Sequence, residues 1–222
     1  MAEVLVFDLY GTLVDPLAIE ADLTGLVGTG GSEVSRLWRA KQLEYSFRLT
    51  VMDSYRDFRA VTAAALEFAL AYAGLSLTGT QRQHLLDRYD HLPPFGDAAP
   101  ALRSLTEDGF ELAVLSNGTR GMIAACLASS GLDAWISFQL SVEEVRVYKP
   151  SPKVYQYAAQ SLGRAAGQLR LVSGNAFDIA GAGAAGLRTA WVNRAGMPFD
   201  TISGPPEVIV SGLGQLPDAL AG

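Results

Sequence analysis

The chain has 222 residues, with 17 Lys and Arg against 23 Asp and Glu. Its formal net charge of −6 and pI near 4.9 exclude a general attraction to nucleic acid or an anionic membrane, so any anion it binds is held locally. With 49% hydrophobic and 18% charged residues and a mean hydropathy of +0.19, it is too apolar for disorder and suits one packed soluble domain, or one carrying a sizeable insertion.

The first element is the apolar run Val4-Leu5-Val6-Phe7, which ends on Asp8 and the glycine-containing turn Leu9-Tyr10-Gly11-Thr12-Leu13. It reads as a buried strand carrying Asp8 to a strand end, where open α/β sheets place their chemistry. An aspartate that opens an ordinary turn fits the same residues. The run begins almost at once, without a basic region or cleavage site, and no window is apolar enough to span a bilayer, so a cytoplasmic protein is expected.

Residues 15–92 then read as helical, with segments near 16–27, 32–49, 54–73 and 80–90. Ser54 with Asp57, and Thr80 with Gln83, have the spacing of helix caps, and Gly28-Thr29-Gly30-Gly31 and Gly74 fit as breaks. From Pro93 onward the pattern alternates. Helices are predicted over 98–108, 119–130, 152–162 and 178–185, with strands over 111–116, 136–141, 169–173 and 189–193, and a short strand at 208–210 and helix at 213–220 close the chain. This is a parallel α/β architecture. A lone first strand cannot satisfy its backbone or bury its faces, so it must join that sheet, and the helices of 15–92 become an insertion placed to cap Asp8. Cys126, the only cysteine, reads as core packing, and His84 and His91 read as solvated surface residues outside any metal-ligand cluster.

Four polar clusters end consecutive core strands: Asp8 to Thr12, Ser116-Asn117, Lys149 before Pro150, and Ser173-Gly174-Asn175-Ala176-Phe177-Asp178. Each alone fits a turn or a helix cap, and Asp178 fits the N-cap of its own helix. Together they would converge on one crevice of a parallel sheet.

In their order these segments, with Tyr148-Lys149-Pro150, resemble the motifs of the haloacid dehalogenase superfamily over nearly the whole chain. The resemblance implies a Rossmann-like parallel core (1–14 and 93–222) with a helical cap (15–92). Within the superfamily the chain is most similar to the L-2-haloacid dehalogenases. Trp38-Arg39-Ala40-Lys41-Gln42-Leu43-Glu44-Tyr45 looks like their arginine-bearing cap helix, and Tyr155 falls where they keep a tyrosine. Phosphatases of the superfamily resemble Asp-x-Asp-x-Thr in the first motif, the second aspartate serving a leaving alcohol as acid and base. Here that position is Tyr10, and a halide leaving group needs no proton. In the fourth motif Ser173-Gly174-Asn175 leaves Asp178 as the only carboxylate, so magnesium dependence is not expected and no cofactor is implied.

The resemblance implies that Asp8 attacks C2 of a short 2-haloalkanoate to form an ester, with Lys149 neutralising and orienting it. Arg39, assisted by Asn117, would meet the departing halide. Ser116 and the backbone amides of Leu9 and Tyr10 would hold the substrate carboxylate, with Thr12, Ser173 and Tyr155 fixing their neighbours. Asp178 would position the hydrolytic water and Asn175 would steady Asp178 or the ester oxygen. Tyr10, Leu43, Phe58 and Phe177 would wall the alkyl group and halogen, although core packing fits Phe58 equally, and Trp191 reads as core. The alternatives are a phosphatase of the same fold and a non-catalytic binder of small anions. A homodimer is the only macromolecular partnership implied, with helix faces in the insertion or around 61–73 as its contact.

Overall fold

The computed structural model describes residues 3–221. Among them, β1 (Val4–Phe7), β2 (Glu111–Ser116), β3 (Phe138–Ser141), β4 (Leu169–Ser173), β5 (Arg188–Val192) and β6 (Val208–Val210) form one sheet in the order β3-β2-β1-β4-β5-β6. Every pairing is parallel. Sheets of this kind are covered on both faces, which is why β1 is an apolar run buried throughout rather than an alternating strand, and why β4 is buried along its length even at Arg170. After β3 the chain returns to pair β4 beside β1, so the strand order reverses between β1 and β4 and leaves a crevice at their carboxyl ends. Phe7 is level with both Val114 and Val172. Asp8, one residue on, therefore stands level with Ser173.

Between β1 and α5 (Ala98–Glu107) lie four helices, α1 (Glu20–Val27), α2 (Gly31–Val51), α3 (Phe58–Tyr72) and α4 (Gly79–Arg88), which form the inserted cap. The two connections run side by side, the Asp15 N–H donating to the Pro93 carbonyl at 3.0 Å and the Phe95 N–H to that of Leu13 at 2.9 Å. The remaining helices, α6 (Arg120–Ser130), α7 (Pro152–Ser161), α8 (Ala176–Ala184) and α9 (Leu216–Ala221), complete the Rossmann-like core.

Several boundaries differ from expectation. α3 begins at Phe58 because Asp57, in extended conformation, is the N-cap and accepts from the Ala60 N–H at 2.8 Å, while Ser54 lies before the helix. α4 is capped two residues earlier than predicted, by Thr78 and Gln81, whose reciprocal bonds of 2.8 and 3.2 Å satisfy the same spacing. Gly31 is not a break but the first residue of α2. It sits so close to α1 that a Cβ there would lie 2.5 Å from the Thr24 nitrogen. α8 starts at Ala176 with Asn175 as N-cap, which removes the capping reading of Asp178.

Cys126 is fully buried in α6, as read, and burial pushes its thiol up to about 12. His84 and His91 are exposed. No helix among the described residues is long and apolar enough to cross a membrane.

Candidate active site

Asp8 leaves β1 at the crevice and is 6% exposed. Its Oδ2 accepts three hydrogen bonds, from Asn175 Nδ2 at 2.7 Å, Thr12 Oγ1 at 3.0 Å and Ser173 Oγ at 3.4 Å. Among the described residues, Oδ1 meets only the Lys149 ammonium, at 3.1 Å. One oxygen is thus fixed by neutral donors and the other keeps a lone pair free. The loops that bring these groups together are pressed tight. Thr12 Oγ1 also accepts from the Gly174 N–H at 2.8 Å, and a Cβ on Gly174 would lie 2.3 Å from the Gly11 carbonyl oxygen. Only glycine permits that approach.

Lys149 is 1% exposed and also donates to Asp178 Oδ2 at 2.7 Å. Asp178 lies in the first turn of α8, where the helix dipole favours a carboxylate, and its Oδ1 accepts from the Tyr155 hydroxyl at 2.7 Å. Two buried carboxylates thus share one ammonium. Burial alone would depress the Lys149 amine, but Asp178 and then Asp8 outweigh it and hold its pKa above the ordinary value. Burial raises the Asp178 carboxyl, against the pull of Lys149, and the charge of Asp8 adds to that rise. Burial likewise raises the Tyr155 hydroxyl well above the usual range, which keeps it a donor.

Asp8, Lys149, Asn117 and Asn175 form the polar floor of a small cavity of about 10 Å³, walled by Tyr10, Leu43, Phe58 and Phe177 and bordered by Arg39 from α2. The residues expected to line it are there. The Tyr10 ring packs on Phe58 with centroids 5.7 Å apart, so Phe58 is both cavity wall and cap core. Asn117 Oδ1 accepts the Lys149 backbone N–H at 3.1 Å and so ties the second cluster to the third. A larger open cleft, about 620 Å³, lies outside and shares Arg39, Leu43 and Asn175 with the cavity wall. Trp191 is packed in β5, as expected, and also lines this cleft.

Five residues sit behind the wall rather than on it, among them Thr12, fully buried against Asp8 and Gly174. Tyr155 and Ser173 are fully buried and touch Asp178 and Asp8, not the cavity. Asp178 reaches the cavity only through Lys149, because both its oxygens are held. Ser116 is buried with its Oγ accepting the Gly118 N–H at 3.1 Å, which leaves its own proton unassigned. Leu9 contributes backbone: its carbonyl accepts from Leu13 and Val14 at 3.0 and 3.1 Å and closes the turn after Asp8.

The sequence reading gave no role to Gln42, which is fully buried and accepts Arg39 Nη1 at 2.6 Å. The signal was a polar residue in line with Val34 and Trp38 on the inward stripe of α2. It also passed over Arg194, which pairs with Asp97 at 2.7 and 2.8 Å and donates to the Thr12 carbonyl at 3.3 Å, bracing the first turn from behind.

The model of the haloacid dehalogenase-like hydrolase family matches residues 2–186. The chain is 39% identical over 215 residues to (S)-2-haloacid dehalogenase 1 of Pseudomonas sp. (strain CBS-3), covering 97% of this chain and 95% of that protein. It is 39% identical over 209 residues to the (S)-2-haloacid dehalogenase of Pseudomonas sp. (strain YL), covering 94% and 90%. Among solved structures it is similar to the L-2-haloacid dehalogenase of Xanthobacter autotrophicus with chloropropionic acid covalently bound. There the TM-score is 0.95 at 31% identity, over 100% of this chain and 99% of that one.

Proposed function

This chain belongs to the haloacid dehalogenase-like hydrolase family, and on that premise we propose that it hydrolyses short L-2-haloalkanoic acids to D-2-hydroxy acids through an ester on Asp8. The observation that carries the reading is the pair of unlike oxygens on Asp8, one tied by three donors and one facing Lys149 beside a small cavity with a polar floor and apolar walls.

Oδ1 attacks C2 from the face opposite the halogen, and the halide leaves with the bonding pair. Nucleophile and substrate are both anions, and two unit charges about 4 Å apart repel by about 4 kcal/mol at an effective dielectric of about 20. Lys149 and Arg39 offset that repulsion. Arg39, with Asn117, stabilises charge that grows only as the carbon–halogen bond breaks, an effect that raises turnover. The amides of Leu9 and Tyr10 hold the substrate carboxylate and select the L configuration; Ser116, which sits behind the wall, braces the Gly118 N–H instead of meeting the substrate. Water then attacks the side-chain carbonyl carbon of Asp8 and gives a proton to the Lys149–Asp178 pair. As the bond from that carbon to the product oxygen breaks, the pair returns the proton to the oxygen and the inverted 2-hydroxy acid leaves. The second water proton is lost to solvent as the Asp8 carboxylate is restored. Once Asp8 is esterified its charge is gone, and Lys149 answers to Asp178 alone. Asn175 and Thr12 hold the carbonyl through both steps.

The residues present do not fit a magnesium ion. Position 10 is tyrosine, residues 173–175 supply no carboxylate, and the two remaining carboxylates both hold the Lys149 ammonium. We place the enzyme in the cytoplasm as a homodimer, its contact on the cap face where Val51, Met52 and Tyr72 are exposed. Light scattering at assay concentration tests that state.

Halide release from L-2-chloropropionate should persist in the presence of a chelator. Magnesium-dependent phosphate release from monoesters without halide release would overturn the reading in favour of a phosphatase, and substrate binding without turnover would make the protein a binder. A single turnover in ¹⁸O-water should label Asp8 before the product carries any solvent oxygen.

A further inference from the structure

Arg39 has a long, flexible side chain whose guanidinium must be held still to meet a small anion. Two acceptors hold it: Gln42 Oε1 at 2.6 Å from Nη1 and the Tyr10 carbonyl at 3.2 Å from Nη2. Gln42 lies three residues along α2, on the same face, and is fully buried. An amide there is costly unless its polar atoms are paired, and each is. Nε2 donates to Thr62 Oγ1 at 2.7 Å, and Oε1 also accepts from the Tyr89 hydroxyl at 3.2 Å.

The direction of this chain of bonds is forced. The single hydroxyl proton of Thr62 goes to the Phe58 carbonyl at 2.6 Å, so its oxygen can only accept. Gln42 must therefore turn its NH₂ toward Thr62 and its carbonyl oxygen toward Arg39. That oxygen is neutral. No carboxylate among the described residues lies within 4.0 Å of the Arg39 nitrogens, so the guanidinium is fixed without being neutralised.

We propose that Gln42 is the positioning residue for Arg39, a neutral anchor that orients the halide-binding cation while leaving its charge for the departing halide. This rests on the dehalogenase reading for the role of Arg39. The geometry also explains why an amide rather than a carboxylate stands there: glutamate would still offer the guanidinium an oxygen, but would cancel the charge it supplies and set its second oxygen against Thr62 Oγ1, which only accepts.

Two substitutions separate orientation from charge. Gln42→Met removes the acceptor and is expected to slow halide release on the order of 10- to 100-fold, the range of a misplaced catalytic group. Chloride release should fall more than bromide release, because the poorer leaving group depends more on Arg39. Ester hydrolysis in the same single turnover should not change. Arginine side-chain ¹⁵N spectra should show the hindered Arg39 Nη signals of the unaltered protein lost in Gln42→Met and kept in Gln42→Glu. Gln42→Glu should nevertheless release halide at least about 10-fold slower, and being isosteric it keeps the test decisive if the methionine variant does not fold. Unchanged Arg39 signals in Gln42→Met, equal slowing of both halides and of ester hydrolysis, or full activity in Gln42→Glu would each overturn the proposal. If the unaltered protein released no halide, the dehalogenase reading would fail instead, and the spectra would still judge the anchor.

Discussion

Replacing Lys149 by methionine keeps an unbranched side chain one atom shorter and removes the cation that lies between two buried carboxylates. At an effective dielectric of about 20, its contacts of 3.1 Å with Asp8 and 2.7 Å with Asp178 are attractions of about 5 and about 6 kcal/mol. Much of this offsets the cost of burying the three groups, so the net loss expected for the variant is about 3–5 kcal/mol, the range for stripping one partner from a buried pair. For a chain of this size that lowers the melting temperature by roughly 6–20 °C. Most of the loss is the stranded charge of Asp178, which has no exposed surface through which water could solvate it. The double variant Lys149→Met/Asp178→Asn should therefore melt higher than Lys149→Met alone, although it lacks one more native contact. Thermal unfolding followed by circular dichroism at pH 7 reads both. A double variant less stable than the single one would refute the shared-ammonium account, as would a Lys149→Met protein as stable as its parent.

Asp8→Asn should abolish halide release, including the first turnover, since an amide is a poor nucleophile; retained single-turnover halide would eliminate the ester. Asp178→Asn should let the ester form and persist, visible as a mass increase on the peptide carrying Asp8, and absence of that species would remove Asp178 from the hydrolytic step. The folded pKa of Lys149 is raised, so the stability it contributes is fully present below the ordinary lysine value and declines as pH rises through the folded one. The stability advantage of the unaltered protein over Lys149→Met should accordingly shrink above about pH 10.4; an advantage constant to pH 12 would contradict this. Gly174→Ala would force a Cβ to 2.3 Å from the Gly11 carbonyl oxygen and should cost about 1–3 kcal/mol in a denaturant titration, with loss of activity, because the two loops carrying Asp8 and Asn175 must part.

The architecture could be read from the chain because its signals are local. Apolar runs such as Val4 to Phe7 read as doubly covered strands, and in a parallel sheet their polar ends must reach one edge. Asp8, Asn117, Lys149 and Asn175 meet around one cavity for that reason. What could not be read depends on partners distant in sequence. Thr78 with Gln81 and Thr80 with Gln83 are indistinguishable by spacing, and only the backbone angles of the folded chain select the first. Tyr155 and Asp178 were assigned by type, but their place behind Lys149 follows from how α7 and α8 pack. Gln42 lies within the Trp38–Tyr45 segment without an evident role, because a buried glutamine is intelligible only once Thr62, Tyr89 and Arg39 are seen around it.

The Tyr10 carbonyl oxygen accepts two N–H groups, Nη2 of Arg39 from the inserted helices and Nδ2 of Asn175 from the sheet domain, at 3.2 and 3.0 Å. The same Asn175 nitrogen steadies Asp8 at 2.7 Å. Lifting the helices off the sheet therefore strips one donor from that oxygen and changes the pull on the amide that aims the nucleophile. Seating of the lid and aim of the carboxylate are coupled at a single atom, so an open enzyme is also a slack one, and reactivity is concentrated in the state where a substrate is already enclosed.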